Sequence, residues 1–333
     1  MISLFALMVI VIILALLFDF FNGFHDSANS IATIVVTKTL SPAQALLLAG
    51  AANFVGYFTF GTAVAKMVGK GVVIGDYITL HVLLAALLGA IIWNIITWLL
   101  GLPTSSSHAL IGGLVGSALA SAGTDAIVFG GVFKIVAFIV VAPFLGMLGA
   151  MFFTIITMHI FKRVNPGKAR HVFKYMQMVS AGFYSVGHGT NDAQKCMGII
   201  AMALVAGGVN TEFHLDNWIV LSCYSSIALG TMFGGWRIVK TMGTKITKIT
   251  AMEGFCAETS SAAVLMGTAH FGIPVSTTHV IAGSIMGVGT VEGAASVRWV
   301  TARRILWAWV LTIPLTGVCS ALVYYLAIPI MPK

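Results

Sequence analysis

Charge is the scarcest thing in this sequence. It holds 18 Lys and Arg and 10 Asp and Glu among 333 residues, 8% of the chain, where a soluble domain carries about a quarter. So few charges cannot cover a water-facing surface, which excludes a soluble enzyme, a disordered protein and a nucleic-acid binder. Cysteine is nearly absent as well. Cys196, Cys223, Cys256 and Cys319 lie in apolar stretches without a C-x-x-C spacing and read as small hydrophobes. No G-x-S-x-G or H-E-x-x-H motif is present to support a hydrolase. Regular strand-like alternation is missing, which argues against a barrel. The first 18 residues lack a basic leader and a small-x-small cleavage site, so they read as a retained first span rather than a signal peptide.

What is there in abundance is apolar: 59% of the residues are hydrophobic and the mean hydropathy is +1.00. At about 20 residues per span, that suffices for roughly ten crossings, and the chain reads as an all-α polytopic membrane protein. Long apolar runs fall near 2–22, 43–65, 79–100, 127–161, 217–235, 250–270 and 304–330. Shorter or interrupted ones lie near 105–121, 171–187, 193–208 and 275–290.

Two kinds of polar segment interrupt this pattern, and each occurs twice. Pro103-Thr104-Ser105-Ser106-Ser107-His108 returns as Pro274-Val275-Ser276-Thr277-Thr278-His279, each after a Gly-aliphatic pair. Gly23-Phe24-His25-Asp26-Ser27-Ala28-Asn29 returns more loosely as Gly189-Thr190-Asn191-Asp192-Ala193-Gln194-Lys195. The offsets are 171 and 166 residues in the same order. That regularity predicts an internal duplication: a first repeat over 1–161, a basic cytoplasmic linker over 162–174 and a second repeat over 175–333.

Charge sets the expected orientation. The clusters Lys162–Lys174, Arg237–Lys248 and Arg298–Arg304 all fall on one side if each half makes five net crossings, and basic loops mark the cytoplasmic side. Both termini then lie outside. An odd number of crossings per half makes the repeats inverted, an arrangement of many secondary transporters. Lys66 and Lys70, on the expected outer side, do not fit this pattern.

The proline segments read as helix starts, with proline in the first turn and Ser/Thr oxygens as caps. Within a membrane, such a start aims N–H groups, hydroxyls and a positive dipole end into a cavity, a combination suited to a tetrahedral oxyanion. The aspartates are costly inside spans and mark a cation or proton pathway; Asn29 and Asn191 stand beside them. Broken or re-entrant helices are expected at both kinds of motif. Asp19 and Glu258 are further intramembrane acids without a counterpart in the other half, and His25, His108, His188 and His279 are expected to hold the helix starts by hydrogen bonds.

Together, the G-x-x-D-x-A-N and G-x-N-D motifs and the paired P-x-S-[ST]-[ST]-H resemble the PiT family of inorganic phosphate transporters over essentially the whole chain. The resemblance implies a cation-coupled phosphate symporter of the plasma (inner) membrane, working by alternating access around a midplane site and needing no cofactor beyond the co-transported cation. Ser105, Ser106, Ser107, Ser276, Thr277 and Thr278 would hold phosphate, with Asn191 and Lys195 beside them. Asp26, Asn29, Asn191 and Asp192 would serve the cation, with His25 and Glu258 secondary and no dedicated metal site. The sodium-driven members usually read Asn-Asp where this chain has His25-Asp26, and Asn-Asp-x-Ala-Asn where it has Asn191 to Lys195. Both departures resemble the bacterial low-affinity branch and favour a proton or a neutral metal–phosphate over sodium. Lys195 aligns with Asn29 of the other half, so its ammonium is expected to stand where one bound cation would be. Partners would be inorganic phosphate and lipid, without nucleic acid and compatible with a homodimer. Another oxyanion such as sulfate, or an uncoupled anion channel, remains as the alternative.

Overall fold

A computed structural model describes residues 3–58 and 61–327, which are helical throughout their regular structure. The first half runs α1 (Leu4–Val36), α2 (Pro42–Val55), α3 (Ala63–Lys70), α4 (Leu80–Leu100), α5 (Ser106–Ala122) and α6 (Phe129–Phe161). The second runs α7 (Pro166–Ala206), α8 (Asn217–Phe233), α9 (Trp236–Thr244), α10 (Ala251–His270), α11 (Thr277–Glu292) and α12 (Trp299–Ala327). Lengths recur in order: a long helix, a bent pair, a helix of about 20 residues, a shorter one and a long one. The α2–α3 pair bends by 85° and the α8–α9 pair by 72°.

Packing follows the same exchange. Helix α1 lies against α8 as α7 lies against α2; α5 lies against α12 as α11 lies against α6. The second of these exchanges is made by glycine. Gly112 and Gly116 of α5 press onto backbone at Ile313 and Gly317 of α12, and Gly283 and Gly287 of α11 onto Pro143 and Met147 of α6. A Cβ at Gly116 or Gly283 would overlap the facing carbonyl oxygen, so these are small-xxx-small contacts of the kind that draw membrane helices together. Pro143 and Pro314 stand inside α6 and α12, a third duplicated feature at the 171-residue spacing.

Five helices are apolar and long enough to cross a membrane, α1, α4, α5, α6 and α12, or seven spans if each bent pair counts as one. Helices α7 and α10 are not among them, because they carry much of the buried polar interior, with His188, Asp192 and Lys195 on α7 and Glu258 on α10; α11, which bears Thr277 and Thr278, is only 16 residues long. Outward faces are apolar, including Phe133, Val140 and Phe152 on α6 and Trp307, Val318 and Leu322 on α12.

Two expectations need correction. The Asp motifs do not break their helices: Gly23–Asn29 lies within the continuous 33-residue α1, and Gly189–Lys195 within the 41-residue α7. Their polar side chains find partners sideways on neighbouring helices, so the backbone ladder need not open. Only the proline motifs interrupt the chain, between α4 and α5 and between α10 and α11. The basic stretch after α6 is also less of a linker than its charge suggests. Lys162–Asn165 turns the chain, and the residues from Pro166 onward are already helix. At about 60 Å, α7 is longer than a bilayer is thick, and its basic first turns are largely exposed.

Several basic side chains at the corners reach backbone carbonyls of neighbouring segments. Lys174 Nζ donates to the Lys38 carbonyl at 3.2 Å, and Arg298 donates to the carbonyls of Thr244 and Ile246 at 3.1 and 2.8 Å. Arg237 reaches the Leu99 carbonyl at 2.8 Å. The segments expected outside also meet, through a bridge between Val73 and Ile127. Lys70 lies over the Phe213 ring at 5.3 Å, a cation–π contact that gives this ill-fitting charge a partner.

Candidate functional site

The starts of α5 and α11 converge on the middles of α1 and α7. Ser105 and Ser276 are their N-caps, accepting from the backbone N–H groups of His108 and His279 at 3.1 and 3.2 Å. Capping commits these two hydroxyl oxygens to the helix and turns the next two side chains of each motif inward. Ser106 donates to Asp26 at 3.3 Å and Ser107 to Asp192 at 3.5 Å. From the other half, Thr277 lies 3.4 Å from both Asp26 and Asp192, and Thr278 lies 3.4 Å from Asp26. Four hydroxyls from two helix starts therefore surround two carboxylates, all of them buried.

Each carboxylate has its own supports. Asp26 accepts from His25 Nδ1 at 2.7 Å, and the other ring nitrogen sits 3.2 Å from Thr97 Oγ1 on α4. Asp192 accepts from Lys195 Nζ at 2.5 Å, and His188 Nε2 lies 3.4 Å from its second oxygen. Lys195 also donates to the Ser107 hydroxyl and, at 3.1 Å, to the Val275 carbonyl. Its ammonium thus ties α7 to both proline motifs. Asn29, its counterpart in α1, makes one neutral bond to Thr278 at 2.9 Å.

Asn191 is set differently from the other motif residues. Its amide nitrogen donates to the carbonyls of Gly187 and Leu265 at 3.0 and 2.9 Å, fastening α7 to α10, while its side-chain oxygen has no protein partner. Glu258 stands apart from the hydroxyl cluster. It accepts from Thr33 at 2.6 Å, Ser180 at 2.5 Å and Gln177 at 3.1 Å, joining α1, α7 and α10. Asp26, His188 and Asp192 each offer a ligand atom, all within 4.8 Å of one another. His188 is held for this by Asn53, 3.1 Å from its Nδ1.

The histidines of the proline motifs correct an expectation. His108 and His279 make no side-chain hydrogen bonds; their rings meet edge to face at 4.7 Å, and His279 stacks on Trp309 at 4.0 Å. Trp309 in turn donates to the Pro103 carbonyl at 3.1 Å. These rings join the two helix starts by packing. His25 and His188 do hydrogen-bond, but to Asp26, Thr97 and Asn53 and not to the helix starts.

Several supports escape sequence reasoning. Tyr184 donates to the Thr277 carbonyl at 3.3 Å; its signal was the 184, 188, 192 spacing along one face of α7. The bent pairs are capped from the opposite half. Gln194 of α7 accepts from the N–H groups of Val64 and Ala65 at the start of α3, at 3.0 and 3.3 Å. Ser27 of α1 accepts from Gly235 at the start of α9, at 2.6 Å.

Chemically, the cluster combines hydroxyl donors, two positive helix ends and an ammonium, which suit an oxyanion, with two carboxylates that would repel one. An anion and a cation are the natural joint occupants of such a mixture.

The profile of the phosphate transporter family matches residues 22–320. The chain is 50% identical to a probable low-affinity inorganic phosphate transporter of Rhizobium meliloti (strain 1021), with 97% of each chain covered. It is 45% identical to the protein of the same name in Bacillus subtilis (strain 168), covering 96% of this chain and 97% of that one. Among solved structures, it is similar to one titled the sodium-dependent phosphate transporter, with a TM-score of 0.90, 26% identity, and 98% and 100% of the two chains covered.

Proposed function

Because this chain belongs to the phosphate transporter family, a family of membrane transporters and not of enzymes, we propose that it carries inorganic phosphate with a cation by alternating access between two inverted halves. One observation carries the reading: hydroxyl-bearing helix starts from both halves meet over two buried carboxylates. Phosphate would accept from Ser106, Ser107, Thr277 and Thr278, whose hydroxyls face one point. In its absence the same hydroxyls donate toward Asp26 and Asp192, so carboxylate and phosphate compete for one set of donors.

That competition supplies the coupling. Two acidic side chains stand beside the hydroxyls that would hold the anion. A cation that neutralises a carboxylate removes the rival acceptor and the repulsion together, so phosphate and cation favour each other's binding by the same factor. Moving one elementary charge against 100 mV also costs about 2.3 kcal/mol, which phosphate entering a negative interior must recover from co-moving positive charge.

The cation is a proton or a divalent metal entering with phosphate. Lys195 already fills the ground beside Asp192 with fixed positive charge, where Asn29 offers a neutral amide in the other half. The metal form is supported by the convergence of Asp26, His188 and Asp192 on one point. The basic corners face the cytoplasm of the inner membrane and both termini face outward, consistent with the side-by-side pairing of the basic segments.

Radiolabelled phosphate uptake by purified protein in proteoliposomes tests this reading. Uptake is expected to run uphill under a proton gradient, or with a divalent metal, and to be poorly inhibited by sulfate. Full accumulation driven by a sodium gradient alone would overturn the role given to Lys195. Conduction without counterflow exchange would make the protein a channel, and sulfate competing as well as phosphate would make it a general oxyanion carrier.

A further inference from the structure

On the side of the basic segments, a cavity of about 630 Å³ opens where the end of α1 meets the starts of α7 and α10. None of the hydroxyls or carboxylates of the central cluster lines it. Three cations do: Lys38 just after α1, and Arg170 and Lys174 of α7. Among the described residues, none of the three lies within ion-pair distance of a carboxylate. Arg170 and Lys174 are one turn apart on one helix face, a spacing at which like charges repel. Lys174 also reaches the Lys38 carbonyl at 3.2 Å, which keeps the third charge close. Glu253 of α10 does not answer them, because it accepts from the Thr250 N–H of its own helix start at 2.6 Å.

Lys38 stands there against its backbone preference. With φ at +56°, it is the one non-glycine residue in the left-handed region among the described residues. The turns after α4 and α10 use glycine instead, Gly101 at +63° and Gly272 at +64°. Glycine would end α1 without strain; lysine ends it with strain and adds a charge to the cavity. A strained residue whose side chain lines a cavity points to a role for that side chain.

The cavity lacks a negative partner, and its other walls suit one with several oxygens. The N–H groups of Ala251 and Met252, first in α10, belong to its lining and have no acceptor within the helix. Val36, Phe173 and Ile249 add apolar surface. A phosphate group carries enough charge to balance more than one cation, and its oxygens accept from an Arg fork and from N–H groups together.

We propose that this cavity is a second phosphate-group site, filled from the side of the basic segments by free phosphate or by the headgroup of an anionic lipid. The inference goes beyond the transport reading and does not depend on which cation moves. A phosphate held here relieves the mutual repulsion of Lys38, Arg170 and Lys174 and joins the end of α1 to the starts of α7 and α10.

Equilibrium dialysis of radiolabelled inorganic phosphate against the purified chain in nanodiscs tests the proposal. In phosphatidylcholine, the wild type is expected to show two binding steps. Lys38→Gly and Arg170→Gln should each weaken one of them by about tenfold, and Ser107→Ala should weaken the other. Without phosphate, Lys38→Gly is expected to hold or raise the thermal midpoint, a pairing with weaker binding that a merely structural lysine would not give. In phosphatidylglycerol, survival of both steps identifies free phosphate as the occupant, and loss of the Lys38-sensitive step identifies the lipid headgroup. Phosphate binding in phosphatidylcholine that neither Lys38→Gly nor Arg170→Gln weakens overturns the proposal. A step sensitive to Lys38 without one sensitive to Ser107 would refute the central phosphate pocket and leave this site standing.

Discussion

The two halves are alike in scaffold and unlike in charge. Both place a capped helix start against the middle of a long helix, and both pack that short helix, glycine face first, on a proline-bearing helix of the other half. Yet Asp26 is held by a histidine and Asp192 by a lysine, and Asn29 stands where Lys195 does. Backbone geometry is duplicated because two copies must converge on one point. Side-chain charge need not be, because a tetrahedral anion and its cation do not themselves share that symmetry. Duplicated features therefore report on architecture, and the broken pairs report on mechanism.

Four substitution pairs sharpen or break that distinction. The largest effect is expected at the shared scaffold. Gly283→Leu and Gly112→Leu drive side chains into backbone at Pro143 and Ile313, and both should abolish monodisperse protein on size exclusion; loss in only one would end the equivalence of the halves. Next comes the asymmetric pair. Lys195→Met strands a buried carboxylate, a loss of about 3–5 kcal/mol, while Asn29→Ala gives up one neutral bond, about 1 kcal/mol. Thermal unfolding of the two variants side by side should show that gap, and equal shifts would mean the Lys195–Asp192 contact is not a buried ion pair. Third, Thr97→Val removes the polar neighbour of His25, and His25→Ala removes the histidine itself. Phosphate uptake should fall in both, more in His25→Ala. The smallest effects belong to the crossed caps. Ser27→Ala and Gln194→Ala each free backbone N–H groups at the start of a bent pair and should cost about 1 kcal/mol, seen as small and similar drops in thermal midpoint.

Much of this was legible from sequence because polar residues are conspicuous in an apolar chain. Pro103–His108 and Pro274–His279 announce their helix starts through proline and serine, and the structure interrupts the chain at both. Asp26 and Asp192 stand out as buried acids, and they do meet. Reading apolar runs as spans failed where polarity is resolved sideways: α7 runs unbroken through Gly189–Lys195 because Lys195, Gln194 and His188 all have partners on other helices. The pairing of His108 with His279, and the capping of α9 by Ser27, link residues 171 and 208 positions apart, and no local pattern encodes them. Pro143 and Pro314 could have been found by extending the 171-residue comparison, but in a run of apolar residues a lone proline carries little signal.

The crossed caps and glycine faces bear on how such a protein is made. After the ribosome has inserted α6, the first half still lacks the cap for α3, the bed for α5 and the threonine neighbours of Asp26, all of which arrive with later helices. Newly inserted helices must therefore wait loosely in the bilayer until their late partners come.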